Sequence, residues 1–272
     1  MCYIMKRVLD KRKIQINYSK SPLSFGNKGG GSWNTWNRFI AVNGQNIYHI
    51  GNECGTCSFF FEKLNECQIE VNPKEIIDNL NFGLTFIEKT KLDILREIIP
   101  NGNYQIALIT IKPKFSRLGQ TEDYFTNEQV ELWGQEGIEV IPHSPKVNYY
   151  RGADKEIGKD RKIFEFFIPI TSNSFLDKER IEYYKKQIQK GDKPTAISLS
   201  IFDIKEPAVW PNDDIKPKYT SHWCLAHYLI DGHHKIKAAS DLNSEITLLS
   251  FIAIDQGVSD FYDIDELLTL IN

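Results

Sequence analysis

Apolar positions along the chain fall into short blocks with two different spacings. In the first half, "RFIAVNGQNIYHIG" is a pair of strand-like runs flanking Asn43-Gly44, a dipeptide suited to a tight hairpin turn. "YQIALITIKPKF" reads as a further strand. Between them, "NPKEIIDNLNFGLTFIEKTKLDILREIIPNG" has apolar spacing suited to one or two helices, with Pro73 at the start and Pro100-Asn-Gly at the exit. "SFFFEKLNE" suits the opening of a short helix, and "TEDYFTNEQVELWGQEG" a loop followed by a short helix. "NKGGGSWNTW", residues 27–36, reads as a glycine-rich loop.

Residues 144–162, "SPKVNYYRGADKEIGKDRK", are polar and rich in charge, and they read as a boundary. After them the periods sharpen. "IFEFFIPI" predicts a strand and "DKERIEYYKKQIQKGD" an amphipathic helix closing on Gly191. "PTAISLSIFDIK" and "HWCLAHYLID" predict strands, "HKIKAASDLN" a helix, "EITLLSFIAI" a strand and "DIDELLTLI" a last helix. The expectation is an α+β protein, with a mixed α/β block over 1–145 and a second domain over 160–272.

Composition changes this picture only by exclusion. With 272 residues, 41% hydrophobic and 25% charged, the chain is long enough to bury a core without cross-links. A net charge of −3 gives no broad basic field of the kind that drives nonspecific nucleic-acid binding, while leaving room for a local basic groove; specific DNA binding is not expected. The first twenty residues carry charges every few positions and lack the apolar centre of a signal peptide. No run reaches the roughly 18 apolar residues of a membrane span. The expected setting is cytoplasmic, away from membranes, where Cys2, Cys54, Cys57, Cys67 and Cys224 are more often free, metal-binding or redox-active than framework disulfides.

Three places carry candidate chemistry. The first is Asp231-Gly232-His233-His234-Lys235, where an apolar strand passes into a helix. The first N–H groups of a helix lack internal partners and carry partial positive charge, which suits phosphate, and a glycine lets a ligand approach the backbone. Lys235 could add a charge-assisted contact, and the imidazoles could donate to phosphate or shuttle protons. The plain alternative is a turn glycine, an exposed histidine pair and a solvated lysine. The second is "HIGNECGTCSFFF", in which Cys54-x-x-Cys57 is half of a structural zinc pattern. His49, Cys67, His222 and Cys224 are candidates for the missing ligands. The same pair also suits a redox dithiol, or two thiols with no role. The third is Glu165 on the strand "IFEFFIP", either paired or facing a cleft as a general base.

The residues from about Lys162 to Ile254 resemble the domain shared by ParB N-terminal regions and sulfiredoxins. The likeness rests on "ERIEYYKKQIQKGDKPTAISLSIFDIK" and on "YLIDGHHKIKAA", with Ala238 and Ala239 suited to a closely packed helix. Sulfiredoxins place a cysteine after the turn glycine, where this chain has His233. ParB proteins continue into a DNA-binding region, whereas this sequence ends at Asn272. Free-serine kinases of the fold read Asp-Gly-His-Thr-Arg, nearest to the form here. The resemblance implies a nucleotide-binding domain. Gly232, His233 and His234 would hold the phosphate of ATP or another nucleotide, and Lys235 would neutralise it. Asp231 would hold Mg²⁺ or orient a nucleophile, His233 would move a proton, and Glu165 would act as base. The implied activity is a phosphotransferase or nucleotide hydrolase. The alternatives are a non-enzymatic nucleotide switch whose first block, with or without zinc, binds a protein partner, and a nuclease.

Overall fold

Ile163 and Phe167 alternate with Phe164, Phe166 and Ile168, and all five are buried. A strand that is apolar on both sides must be covered on both faces, and this one lies at the middle of three layers. The computed structural model describes residues 6–67, 80–88, 92, 95, 97–133, 145–208 and 217–272. Its strands are β1 (Val8–Ile16), β2 (Leu23–Gly30), β3 (Trp33–Val42), β4 (Gln45–Asn52), β5 (Glu62–Lys63), β6 (Gly102–Ile111), β7 (Lys114–Ser116), β8 (Tyr149–Arg151), β9 (Lys155–Ile157), β10 (Arg161–Pro169), β11 (Thr195–Lys205), β12 (Ser221–Asp231) and β13 (Ile246–Ala253). The α-helices that lie wholly among the described residues are α1 (Glu128–Trp133), α2 (Lys178–Gln189), α3 (His233–Asp241) and α4 (Phe261–Leu270), with a 3-10 turn over Asn173–Phe175.

The large sheet runs β1-β6-β13-β11-β12-β10-β8-β7, with β9 beside β10, and the small one runs β2-β3-β4-β5. One face of the large sheet, including Phe164, Phe166, Tyr228 and Phe251, packs on Ile40, Tyr48 and Phe61 of the small sheet and its flanks. The other face, including Phe167, Leu229 and Leu248, packs on Ile236, Ala238 and Ala239 of α3 and on Ile264, Leu267 and Leu268 of α4. The result is mixed α/β, with a large sheet and few helices.

The large sheet cannot be flat. Along its order β6 and β7 are six steps apart, about 29 Å at roughly 4.8 Å per strand. In the chain only Lys112 and Pro113 separate them, a span of about 11 Å at most. The sheet therefore curls, bringing the start of β7 back towards the end of β6, with α3 against β7, β11 and β13. The N–H of Phe115 in β7 donates to Ser240 Oγ of α3 at 3.1 Å, which ties the returning end to the helix.

Several expected elements take other forms. The glycine-rich stretch 27–36 belongs largely to β2 and β3, which pair as a hairpin. "SFFFEKLNE" contains the short strand β5 in place of a helix, because Glu62 pairs with His49 of β4. Residues 144–162 contain β8 and β9, both paired with β10. β6, from the first block, is hydrogen-bonded to β13 from the second, so the blocks share one sheet. Most of the helices expected between 72 and 102 lie outside the described residues. The strands and helices expected after 160 are all present. Asn43 and Gly44 both have positive φ, 51° and 79°, as the β3–β4 turn demands. Among the described residues no helix is long and apolar enough to cross a membrane.

Candidate functional site

β10 and β12 are neighbours and parallel, so their carboxyl ends lie side by side. Each leads into a helix: β10 through residues 170–177 into α2, and β12 through Gly232 into α3. Ligands of α/β proteins commonly sit at such an edge. The two helix starts differ. The Asp177 side chain caps α2 by accepting from the N–H of Glu179 at 2.8 Å. α3 has Gly232 at its cap, with φ of 92° and no side-chain hydrogen bond. The first intrahelical bond runs from the N–H of Ile236 to Gly232 O. The N–H groups of His233, His234 and Lys235 thus have no partner within the helix.

The side chains of the turn point to different tasks. His233 Nε2 accepts from the N–H of Thr171 at 3.2 Å, and His234 Nε2 accepts from the N–H of Asp177 at 3.0 Å. The two rings therefore hold the 171–177 loop over the start of α3. Burial lowers the pKa of His233 to about 4, against the pull of Asp231. Burial and then Arg180 lower that of His234. A neutral ring that accepts at Nε2 carries its proton on Nδ1. Lys235 is 2% exposed and turns inward, donating to Thr195 O at 2.8 Å. Its Nζ stands 3.4 Å from Asp231 Oδ2. Burial lowers its pKa, and Asp231 opposes that. Gly232 faces Ala196 of β11, where a Cβ would meet Ala196 Cβ at 2.6 Å. The glycine thus serves the packing of helix on strand.

Arg180, in the first turn of α2, is exposed and close enough to perturb His234, Lys235 and Tyr184. In the sequence it is one charge among many on an amphipathic helix, with no local signal that marks it out. Only the pairing of the two strand ends brings it to the turn.

Glu165 does not join this group. It pairs with Leu225 of β12, six residues before Asp231, or about 20 Å along the strand at roughly 3.3 Å per residue. It is 1% exposed and ion-paired with Arg7. Burial would raise its pKa, but Arg7 and His227 outweigh that and bring it down to about 2. His227 Nε2 stands 3.4 Å from Glu165 Oε1, a long contact for a hydrogen bond. Its Nδ1 faces Ser200 Oγ at 2.8 Å and Ser250 Oγ at 3.2 Å. This chain of polar groups is sealed in the helix-side core. Arg7 also donates from Nε to Thr110 O at 3.1 Å. Arg7 and Glu165 are thus joined although β1 and β10 are five steps apart in the sheet, which the curl makes possible.

Cys54 and Cys57 are joined as a disulfide, so in this state neither offers a thiolate to a metal. Among the described residues no group of three or more His, Cys, Asp and Glu side chains is placed to share an ion. Of the further ligands considered, His222 Nδ1 is hydrogen-bonded to Tyr124 Oη at 2.9 Å, and Cys224 is buried. His49 is stacked on Phe39, and Cys67 is partly buried. No family model, curated protein or solved structure matches the chain.

Proposed function

We propose that the chain binds the phosphate of a nucleotide at the shared edge of β10 and β12, and that it responds to the ligand through the 171–177 loop. The observation that carries this reading is the start of α3. It follows a strand directly, lacks a side-chain cap, and presents the N–H groups of three successive residues. Beyond burial, Arg180, exposed in the first turn of α2, lowers the pKa of His234 by its charge, so its field reaches the same helix end. His233 and His234 tie the loop to the same helix end, so an anion held there would bear on the loop's anchoring bonds.

Binding as a switch is favoured over phosphoryl transfer. Glu165, the expected base, is about 20 Å from the turn by strand register. His233 Nε2 and Lys235 Nζ are engaged with backbone. Any magnesium ion would find Asp231 already beside the Lys235 ammonium. Phosphate contact therefore falls to backbone N–H groups and Arg180, with Lys235 supporting the turn from inside.

A thermal-shift series with ATP, ADP, CTP and GTP, each with and without Mg²⁺, tests the reading. A ligand at 100 times its dissociation constant stabilises the fold by about 2.7 kcal/mol. A shift for at least one nucleotide, smaller in Arg180→Ala, is the expected result. No shift with any of the four contradicts it.

A further inference from the structure

The loop that carries Cys54 and Cys57 is at the far end of β11 from the turn. Lys205 pairs with His222 there, while Ile197 pairs with Asp231. The separation of eight residues is about 27 Å at roughly 3.4 Å per residue. Contacts from both sheets hold the loop. The N–H of Glu53 donates to Trp36 O, the N–H of Glu206 donates to Gly55 O, and Lys205 Nζ donates to Cys54 O at 2.7 Å. The backbone around Cys54 is thus held from both sheets by bonds that do not involve the sulfurs.

The disulfide closes a ring with a sequence separation of 3. Cross-links stabilise mainly by restricting the unfolded chain, and they do so least for the shortest loops. A bond of this span therefore contributes little to holding the fold. Both cysteines are partly exposed, so a thiolate in solution can reach a sulfur. Lys205 Nζ is held by the carbonyl oxygens of Asn52 and Cys54, so its contact with the pair is to the backbone. Cys224 is different: burial pushes its thiol well up, and it is fully enclosed.

We infer that Cys54 and Cys57 form a reversible thiol–disulfide exchange site whose co-reactant is a dithiol. One thiolate of the dithiol attacks a sulfur of the pair. The Cys54–Cys57 bond breaks, a mixed disulfide forms, and the other cysteine leaves as a thiolate. The second thiolate of the reductant then attacks its own sulfur in the mixed disulfide and releases the remaining cysteine. Two electrons pass to the pair, two protons from solution neutralise the thiolates, and the dithiol becomes a cyclic disulfide.

The test equilibrates the full chain in mixtures of reduced and oxidised dithiothreitol, approached from both directions. Free thiols are then trapped by alkylation and counted by mass on the peptide containing both cysteines. The expected result is one two-electron transition in the folded protein, identical from either side. A tenfold change in the ratio of reduced to oxidised reagent changes the ratio of reduced to oxidised pair tenfold. Cys67→Ser should leave the transition unchanged. A pair that resists millimolar dithiothreitol until denaturant is added is a structural disulfide, and the inference fails. It fails equally if the reduced pair does not close again in oxidised reagent. Stoichiometric zinc on the reduced pair that blocks closure would make it a metal site instead.

Discussion

A Cβ atom placed on Gly232 would stand 2.6 Å from the Cβ of Ala196. That contact sets how closely α3 can lie on β11, and the glycine's φ of 92° adds a backbone conformation that other residues adopt at a cost. Gly232→Ala should therefore destabilise the protein by about 2–4 kcal/mol, from strain and overpacking together. Gly232→Ala combined with Ala196→Gly should recover only a fraction of the steric part, because the added Cβ would still stand 2.8 Å from the Cα of Ala196, and it should leave the φ part. Denaturant unfolding of the three proteins checks this. Equal stability of Gly232→Ala and the parent contradicts it.

Arg38 and Asp203 form a buried pair between β3 of the small sheet and β11 of the large one, with contacts of 2.9 and 2.7 Å. Removing Arg38 leaves the buried Asp203 carboxylate with only the Lys205 ammonium at 3.9 Å and the Val258 N–H at 2.7 Å. Arg38→Ala should cost about 3–5 kcal/mol. Lys11→Ala, which removes an exposed pair with Asp265, should cost under about 1 kcal/mol. The difference in melting temperature between the two variants is the check.

Stability should fall as the pH is lowered below about 6.5. Burial lowers the pKa of His222 to about 3 and that of His233 to about 4, and it also lowers that of His227. Each folded pKa is below the ordinary 6.5, so below that pH the unfolded chain binds more protons than the folded one. The contribution of each ring is complete above 6.5 and falls with pH by up to about 1.4 kcal/mol per unit. Glu165, down to about 2 when folded and 4.5 ordinarily, adds a second loss between those values. Denaturant midpoints from pH 7 to 5 should decline steadily, and His222→Gln should shallow the slope. A flat profile contradicts the burial of neutral rings.

What could be read from the sequence follows from how local each cause is. β12, Gly232 and α3 were legible because an apolar run, a turn dipeptide and a helical spacing are adjacent in the chain. The Asn43-Gly44 hairpin was legible for the same reason. β8 was not, because Tyr149 and Tyr150 sit among polar neighbours and form a strand only by pairing with β7 and β10. The alternation around Glu165 was visible, but its partner Arg7 is 158 residues away and reaches it only because the sheet curls. Lys235 illustrates the same limit. Its charge suggested a phosphate, whereas its position one turn into α3 directs it back onto Thr195 O. Arg180 is brought to the site by the parallel pairing of β10 and β12, which no local pattern encodes.

Lys235 and Arg180 should therefore separate stability from binding. Lys235→Ala leaves Thr195 O without its donor and Asp231 without its cation, and should lower stability by about 1–3 kcal/mol. Arg180→Ala removes an exposed side chain and should change stability by less than about 0.5 kcal/mol. Its effect should fall on anion binding, weakened roughly 10- to 100-fold if it supplies one charge-assisted contact. Calorimetric titration with the nucleotide giving the largest thermal shift, alongside unfolding curves, checks both halves. If Arg180→Ala binds as tightly as the parent, Arg180 is not a contact.

The backbone of α3 offers the most direct measurement. In an amide-resolved NMR titration with that nucleotide, the N–H signals of His233, His234 and Lys235 should move first and furthest. Those of Thr171 and Asp177, whose N–H groups the two imidazoles hold, should move with them. Saturable shifts centred on these five amides, and reduced in Arg180→Ala, are the predicted result. Saturable shifts centred elsewhere, with these amides unmoved, would contradict the assignment of the site to the start of α3.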